Sequence, residues 1–306
     1  MKHNTITARR RGLADRAMMA AAEKQLHGED YAYCEGLIRG NDQDRWLASL
    51  FLPQERRRHI QALYAFNHEA ARISETVSEP LLGEIRFQWW RDAIEGEDPG
   101  DAKANPVAAA LLDTIARFKL PKAPLLELIG ARVRDVYGER IESTPAIESY
   151  TEATCSNLFR LATLVLDGDE AIAGLGVAGH AGIAYGIIGL MRALPWHCAR
   201  GKVFVPEDIL QSHGAEPGDL AGGHASAAVL AALGDLRALA RRHLDTFDAR
   251  LHSLPEKSKP AFLPVCLCEH YLQLMERPGY DPFKTIVELP QWRRQMILWG
   301  ASRRWG

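Results

Sequence analysis

In Leu63-Tyr64-Ala65-Phe66-Asn67-His68-Glu69-Ala70-Ala71-Arg72-Ile73-Ser74-Glu75-Thr76-Val77 the apolar residues Leu63, Phe66, Ala70, Ile73 and Val77 recur at steps of three and four. That is the period of an α-helix with one buried face. Val229, Leu233, Leu236, Ala240, Leu244, Phe247 and Leu251 repeat the pattern late in the chain. Runs that alternate apolar and polar residues are almost absent, and no glycine-rich phosphate loop follows a candidate strand. Breaks fall at Pro53, Pro80, Glu97-Asp98-Pro99-Gly100, Pro121, Pro145, Pro195, Pro206, Gly214 to Gly223, Pro255 and Pro290. They divide the chain into about ten helices with mostly short connections. No repeat or linker suggests a second unit. The expectation is one all-α domain over 1–306, with 1–28 a basic N-terminal segment and 290–306 an amphipathic basic and aromatic helix.

Charge excludes some partners. Lys and Arg number 37 against 39 Asp and Glu, a net of −2, so nothing draws the whole chain to nucleic acid or an anionic membrane. No nucleic-acid partner is expected, and peripheral membrane contact would need a local patch. Ala171 to Met191 carries no formal charge over about a membrane-spanning length. Its many Ala and Gly residues, with His180 and Tyr185, fit a buried core helix better. Five scattered cysteines read as free thiols in a reducing compartment. Cys266-Leu267-Cys268 with His270 lacks the paired knuckles of a zinc site and reads as an apolar helix. Lys2 to Arg16 is basic, with its first acid at Asp15. A transit peptide has that character, but the Ala/Gly-rich composition favours a bacterial basic tail. The expected location is cytoplasmic, at most peripheral at the inner membrane, or on the mitochondrial matrix side in a eukaryote.

Ser49-Leu50-Phe51-Leu52-Pro53, Arg56 to Arg58 and Ala62-Leu63-Tyr64-Ala65-Phe66 together resemble the opening of the squalene/phytoene synthase family. Arg200-Gly201-Lys202-Val203-Phe204-Val205-Pro206 resembles the family's late Arg-Gly-x-x-Tyr-Leu-Pro stretch. Phe87-Gln88-Trp89-Trp90-Arg91-Asp92, Asn105-Pro106-Val107 and Pro260-Ala261-Phe262-Leu263-Pro264 extend the likeness from about Tyr31 to about Leu274. The resemblance implies an isoprenoid synthase-like helical bundle around a central cavity. It also implies two aspartate motifs on facing helices, whose carboxylates hold magnesium against the departing diphosphate. A four-residue spacing puts both carboxylates of a motif on one helical face.

Here the pattern departs at those positions. The first motif falls on Ala71, Arg72 and Glu75, and the family's preceding Cys-Arg becomes Asn67-His68. The second, after Arg192, falls on Ala193, Trp196 and His197, with Pro195 ending or bending the helix inside it. Arg192-Ala193-Leu194-Pro195-Trp196-His197, Lys202-Val203-Phe204 and Asp208-Ile209 resemble a divergent branch of the family, as do Phe66-Asn67-His68-Glu69 and Val77-Ser78-Glu79. That branch includes a mitochondrial assembly factor for respiratory complex I, held to work without prenyl transfer. The resemblance implies a non-catalytic assembly role with complex I subunits or assembly intermediates as partners. No catalytic residue, metal ligand or cofactor is expected. Magnesium belongs only to the alternative, a prenyltransferase joining isoprenoid diphosphates head to head.

The degenerate pocket then comprises Tyr64, His68, Ala71, Arg72, Glu75, Arg192, Ala193 and His197. His68, Arg72 and Glu75 are placed on one stripe, with His197 approaching from the facing helix. One reading is a pocket for an anionic headgroup or a prenyl lipid. The other, favoured, is a satisfied polar cluster in which Glu75 neutralises Arg72. A metal site from His68, His197 and Glu75 lacks a motif such as H-E-x-x-H. Trp89-Trp90 reads as core. At the C-terminus, Trp292, Arg293, Arg294 and Trp299 are candidates for partner or membrane contact, balanced against a helix packed on the domain.

Overall fold

Helix starts and stops follow local chemistry. Asp42 accepts from the Arg45 amide at 3.1 Å, and Asn105 accepts from the amides of Val107 and Ala108, so each caps the helix that follows it. Gly96, Gly138 and Gly168 take positive φ where helices end, a conformation that costs glycine little. In the computed structural model residues 28–97, 102–168 and 176–305 are described, and no strand occurs among them. The basic segment before residue 28 and most of the turn at Glu97-Asp98-Pro99-Gly100 lie outside the described residues.

The elements are α1 (28–41), α2 (Gln43–Ser49), α3 (Gln54–Thr76), α4 (Pro80–Glu95), α5 (Pro106–Phe118) and α6 (Ala123–Tyr137). Next come α7 (Thr144–Thr151), a π turn (Glu152–Ser156), α8 (Asn157–Asp167), α9 (Gly176–Arg192) and α10 (Leu194–Cys198). The rest are α11 (Glu207–Ser212), α12 (Pro217–Ala221), α13 (Ala227–Arg250), a 3₁₀ segment (Lys259–Leu267), α14 (Cys268–Met275) and α15 (Gln291–Trp305). One apolar cluster runs through them from Tyr31 to Ala301.

Two helices organise the centre. From His59 to Asn67 every residue of α3 is buried, and beyond it only Ala70 and Ile73 are, so its C-terminal half emerges from the core. From Gly176 on, the charge-free stretch forms the buried helix α9, packed along α13 and across the π turn, and the first five residues of the stretch lie outside the described residues. At the π-turn crossing, backbones approach closely. A Cβ on Gly182 would fall inside contact distance of the Ser156 backbone, and one on Gly186 would stand 2.7 Å from Thr151 Cγ2. Only glycine permits that approach, and Ser156 Oγ donates to the Gly179 carbonyl at 2.9 Å to fix it. Among the described residues no helix is long and apolar enough to cross a membrane. All five cysteines are free thiols.

Candidate functional site

On α3 Tyr64, His68, Ala71 and Glu75 follow one another at helical steps, and Arg72 stands at the edge of that face, where it neighbours Glu69 and Thr76 as closely as it does Glu75 and His68. Glu69, Arg72 and Thr76 line a cleft of about 380 Å³ between α3 and α4, with Ile73, Arg86, Trp89, Trp90 and Asn105. The helix rotates 100° per residue, so His68, Arg72 and Glu75 lie within about 60° of one another on one side of α3, and Arg72, at the edge of that side, also lines the cleft. Arg72 and Glu75 are both exposed and form no ion pair with each other. Glu75 instead acts electrostatically on His68 and Lys202. Burial, reinforced by the Arg72 charge, holds the His68 imidazole below its ordinary pKa.

The second motif is interrupted as Pro195 implies. Helix α9 stops at Arg192, Ala193 leaves helical geometry, and α10 restarts with Pro195 in its first turn. Trp196 is exposed, and the His197 ring lies against Phe204 with centroids 4.7 Å apart. Burial, with the charges of Arg132, Lys202 and Arg200, lowers the His197 pKa to about 4, so the ring is neutral at neutral pH. Lys202 Nζ donates to the Ser74 carbonyl at 3.2 Å, tying the segment after α10 to α3. No hydrogen bond or ion pair joins His197 to His68, Arg72 or Glu75.

Behind these residues the centre is filled by charge. Asp44, 4% exposed, accepts from Arg192 Nη1 at 2.9 Å and from the Tyr271 hydroxyl at 2.8 Å, and it forms an ion pair at 2.9 Å with Arg294, whose Nε–H donates to the Tyr271 hydroxyl. The Arg192 guanidinium also stacks 3.7 Å above the Tyr271 ring. Next to this cluster, buried Arg45 pairs with Asp42 at 2.9 Å and lies between the rings of Tyr64 and Tyr185, at 5.2 and 4.8 Å. On the His197 side, Arg132 Nη1 donates to Tyr150 Oη at 2.7 Å, and that hydroxyl donates to Asp135 at 2.8 Å. Buried arginines here are held by carboxylates and aromatic faces, with Arg45 Nε and Arg132 Nε left without a hydrogen-bond partner.

The residues at the motif positions do not fit a magnesium cluster. That hard cation takes oxygen ligands, and only Glu75 offers a carboxylate there. His68 Nε2 and His197 Nδ1 are buried without a hydrogen-bond partner, but they are nitrogens flanked by the cations Arg72, Arg132 and Lys202. The buried carboxylates Asp44 and Asp135 are already engaged by arginine. Among the described residues no group of three or more His, Cys, Asp or Glu could hold a metal ion.

The C-terminal helix both packs and projects. Leu298 and Ala301 are buried, and Arg294, 3% exposed, is bonded to Asp44, Glu288 and Gln43. Arg294 is thus a core residue, which corrects its assignment as a contact for a partner or membrane. Its basic neighbours gave the sequence a uniformly amphipathic look, but its carboxylate partner lies far away in the chain. Trp292, Met296 and Trp299 are exposed at helical spacing, Arg303 stacks 5.0 Å over Trp299, and Arg293 is half-buried.

Sequence reasoning overlooked Asp44, Arg45, Arg132, Asp135 and Tyr271. One signal was present. Arg132 and Asp135 continue the apolar stripe of Leu125, Leu128 and Ile129 on α6, so charges stand where the period calls for core.

Comparison with known proteins places this geometry. The squalene/phytoene synthase family model matches residues 38–299. The chain is 33% identical to the rat NADH dehydrogenase (ubiquinone) complex I assembly factor 6, over 90% of this chain and 82% of the rat protein. It is 21% identical to the phytoene synthase of Arthrospira platensis, over 88% of this chain and 91% of that enzyme. A dehydrosqualene synthase crystal structure superposes with a TM-score of 0.80 at 19% identity, covering 92% of this chain and 98% of the synthase. An all-α isoprenoid synthase fold and the family model over most of the chain agree: this chain belongs to the squalene/phytoene synthase family.

Proposed function

We propose that this protein is a non-catalytic member of its family that acts in the assembly of respiratory complex I, with complex I subunits or assembly intermediates as its partners. The observation that carries the reading is the substitution at the motif helices. Ala71, Arg72, Ala193 and a neutral His197 stand where opposed carboxylates would have to hold magnesium, and Lys202, bound to the Ser74 carbonyl, lies beside them. An arginine or lysine there can bind an anion, but it cannot recruit the metal that a departing diphosphate requires. The likeness to assembly factor 6 supports the assembly role, since it extends over most of both chains. In this reading the exposed stripe of Trp292, Met296 and Trp299, with Arg293 and Arg303, meets the client or the membrane surface beside which it is assembled.

The test has two arms. The purified chain is incubated at length with farnesyl and geranylgeranyl diphosphate, magnesium and NADPH, and the products are analysed. No condensed hydrocarbon and no diphosphate release above a protein-free control is expected; a C30 or C40 product overturns the reading. In the second arm, deletion of the gene lowers assembled complex I, and both the wild-type gene and an Ala71→Ser variant restore it. Unchanged complex I in the deletion strain removes the assembly role.

A further inference from the structure

The cleft between α3 and α4 belongs neither to the central charge clusters nor to the C-terminal stripe. Two guanidiniums share it. Arg86 Nη1 donates to the Thr76 hydroxyl at 2.8 Å, and neither Arg86 nor Arg72 forms an ion pair among the described residues. Glu69 is the one carboxylate among the lining residues, so the cleft keeps a net positive charge. Trp89 forms part of the wall, held edge to face against buried Trp90 with centroids 5.0 Å apart. Its volume, about 380 Å³, falls within the range of small-ligand pockets.

Outside the cleft, α4 carries an apolar strip that nothing in the fold covers. Leu81 and Ile85 are 61% and 58% exposed and lie at i and i+4 on the line that reaches Trp89 at i+8. Leu82 is exposed beside them. At the helical rise, Leu81 to Trp89 spans about 12 Å. Cations at one end and an apolar track from the other match a ligand with a charged head and one hydrocarbon tail. Arginine forks suit phosphate or carboxylate oxygens, and two of them at one cleft favour a single anionic head.

We propose that the α3/α4 cleft binds an anionic amphiphile, with its phosphate or carboxylate head between Arg72 and Arg86 and its apolar tail along Trp89, Ile85 and Leu81. This site stands apart from the assembly reading and would survive its failure. The ligand is a free single-chain amphiphile, and the same chemistry presented only by a bilayer is the outcome that the vesicle arm of the test separates.

The full chain is titrated by calorimetry with dodecyl phosphate below its micelle concentration, with dodecanol, and with inorganic phosphate. Arg72→Gln, Arg86→Gln and the double variant are compared with wild type, all with circular dichroism as a check on folding. Both residues are exposed, so folding should be retained. Dodecyl phosphate should bind at least tenfold more tightly than either dodecanol or phosphate, and each single variant should lose about tenfold. Ile85→Ser should weaken dodecyl phosphate and leave inorganic phosphate unchanged. Equal affinity for dodecanol, or undiminished binding by the double variant, overturns the site. Binding to phosphatidic acid vesicles without binding to monomeric dodecyl phosphate overturns it too, because the surface would then read a bilayer and not a single chain.

Discussion

Replacing Asp44 by Asn would show how far the centre depends on one carboxylate. Asp44 and Arg294 are 4% and 3% exposed and 2.9 Å apart, so neither charge can recover solvent if the other is neutralised. Removing one partner of a buried pair costs about 3–5 kcal/mol. Two features place Asp44→Asn at the low end. Arg294 keeps Glu288 at 2.9 Å, and Asn still offers an oxygen to the Tyr271 hydroxyl. Arg192 adds little, since its side chain is 26% exposed and can turn to water. With a melting entropy of about 2.1 cal/mol/K per residue, a loss of about 3 kcal/mol lowers the midpoint by roughly 5 °C in a chain of 306 residues. Asp44→Leu, which also removes the acceptor for Tyr271, should approach about 8 °C, at the upper end of the same range.

Calorimetry measures the midpoint, and amide exchange locates the change. Protection should fall first in Gln291–Trp305, because the Asp44–Arg294 pair ties α15 to α2, and next around Tyr271. The double variant Asp44→Leu with Arg294→Met should recover much of the stability, since it removes both charges from the apolar centre. A shift below about 1 °C for Asp44→Asn, or a double variant weaker than both singles, would refute the reasoning.

Three further outcomes follow from the geometry. Burial lowers His59 and His197 to about 4, so between the ordinary histidine value of about 6.5 and about 4 the unfolded chain binds protons that the folded chain refuses. Unfolding free energy should therefore fall as pH falls through that window, and His197→Gln should flatten part of the slope in denaturation followed from pH 7 to 4. Gly182→Ala should destabilise by about 2 kcal/mol or more through its clash with the Ser156 backbone, whereas Gly189→Ala, which meets nothing within 4 Å, should stabilise by about 0.5–1 kcal/mol in urea unfolding. Serine at Trp292, Met296 and Trp299 together should leave the melting midpoint within about 2 °C of wild type yet release the protein from membrane or client fractions, while deletion from residue 291 onward should unfold the domain through loss of Arg294 and Leu298.

The helices were legible because their signal is local. The spacing of Leu63, Phe66, Ala70 and Ile73 is a property of adjacent turns, and those residues are buried as that spacing requires, Leu63 and Phe66 completely. Pro195 likewise acts on its own neighbours, so the break of the second motif at Ala193 could be read from six residues. The shared side of His68, Arg72 and Glu75 on α3 was local too, whereas the second role of Arg72, lining the cleft, depends on α4 and was not.

What refilled the centre was not legible, because it is assembled across the chain. The Arg192–Asp44 bond joins residues 148 apart, and Tyr271 reaches Asp44 across 227. No periodicity relates such positions, and each residue alone looks like an ordinary surface charge or a core aromatic. Physical chemistry does, however, limit what can happen once motif carboxylates disappear. An arginine left in an apolar centre needs a counter-charge at fixed distance, since an uncompensated buried ion costs several kcal/mol. Metal-held ligand anions cannot supply that charge where alanine, arginine and histidine stand at the binding positions. The chain must supply it, and Asp42, Asp44 and Asp135 each lie within 3.2 Å of an arginine. Restoring the motif aspartates alone would place new negative charge beside a centre already neutral, and the excess would be borne by the fold.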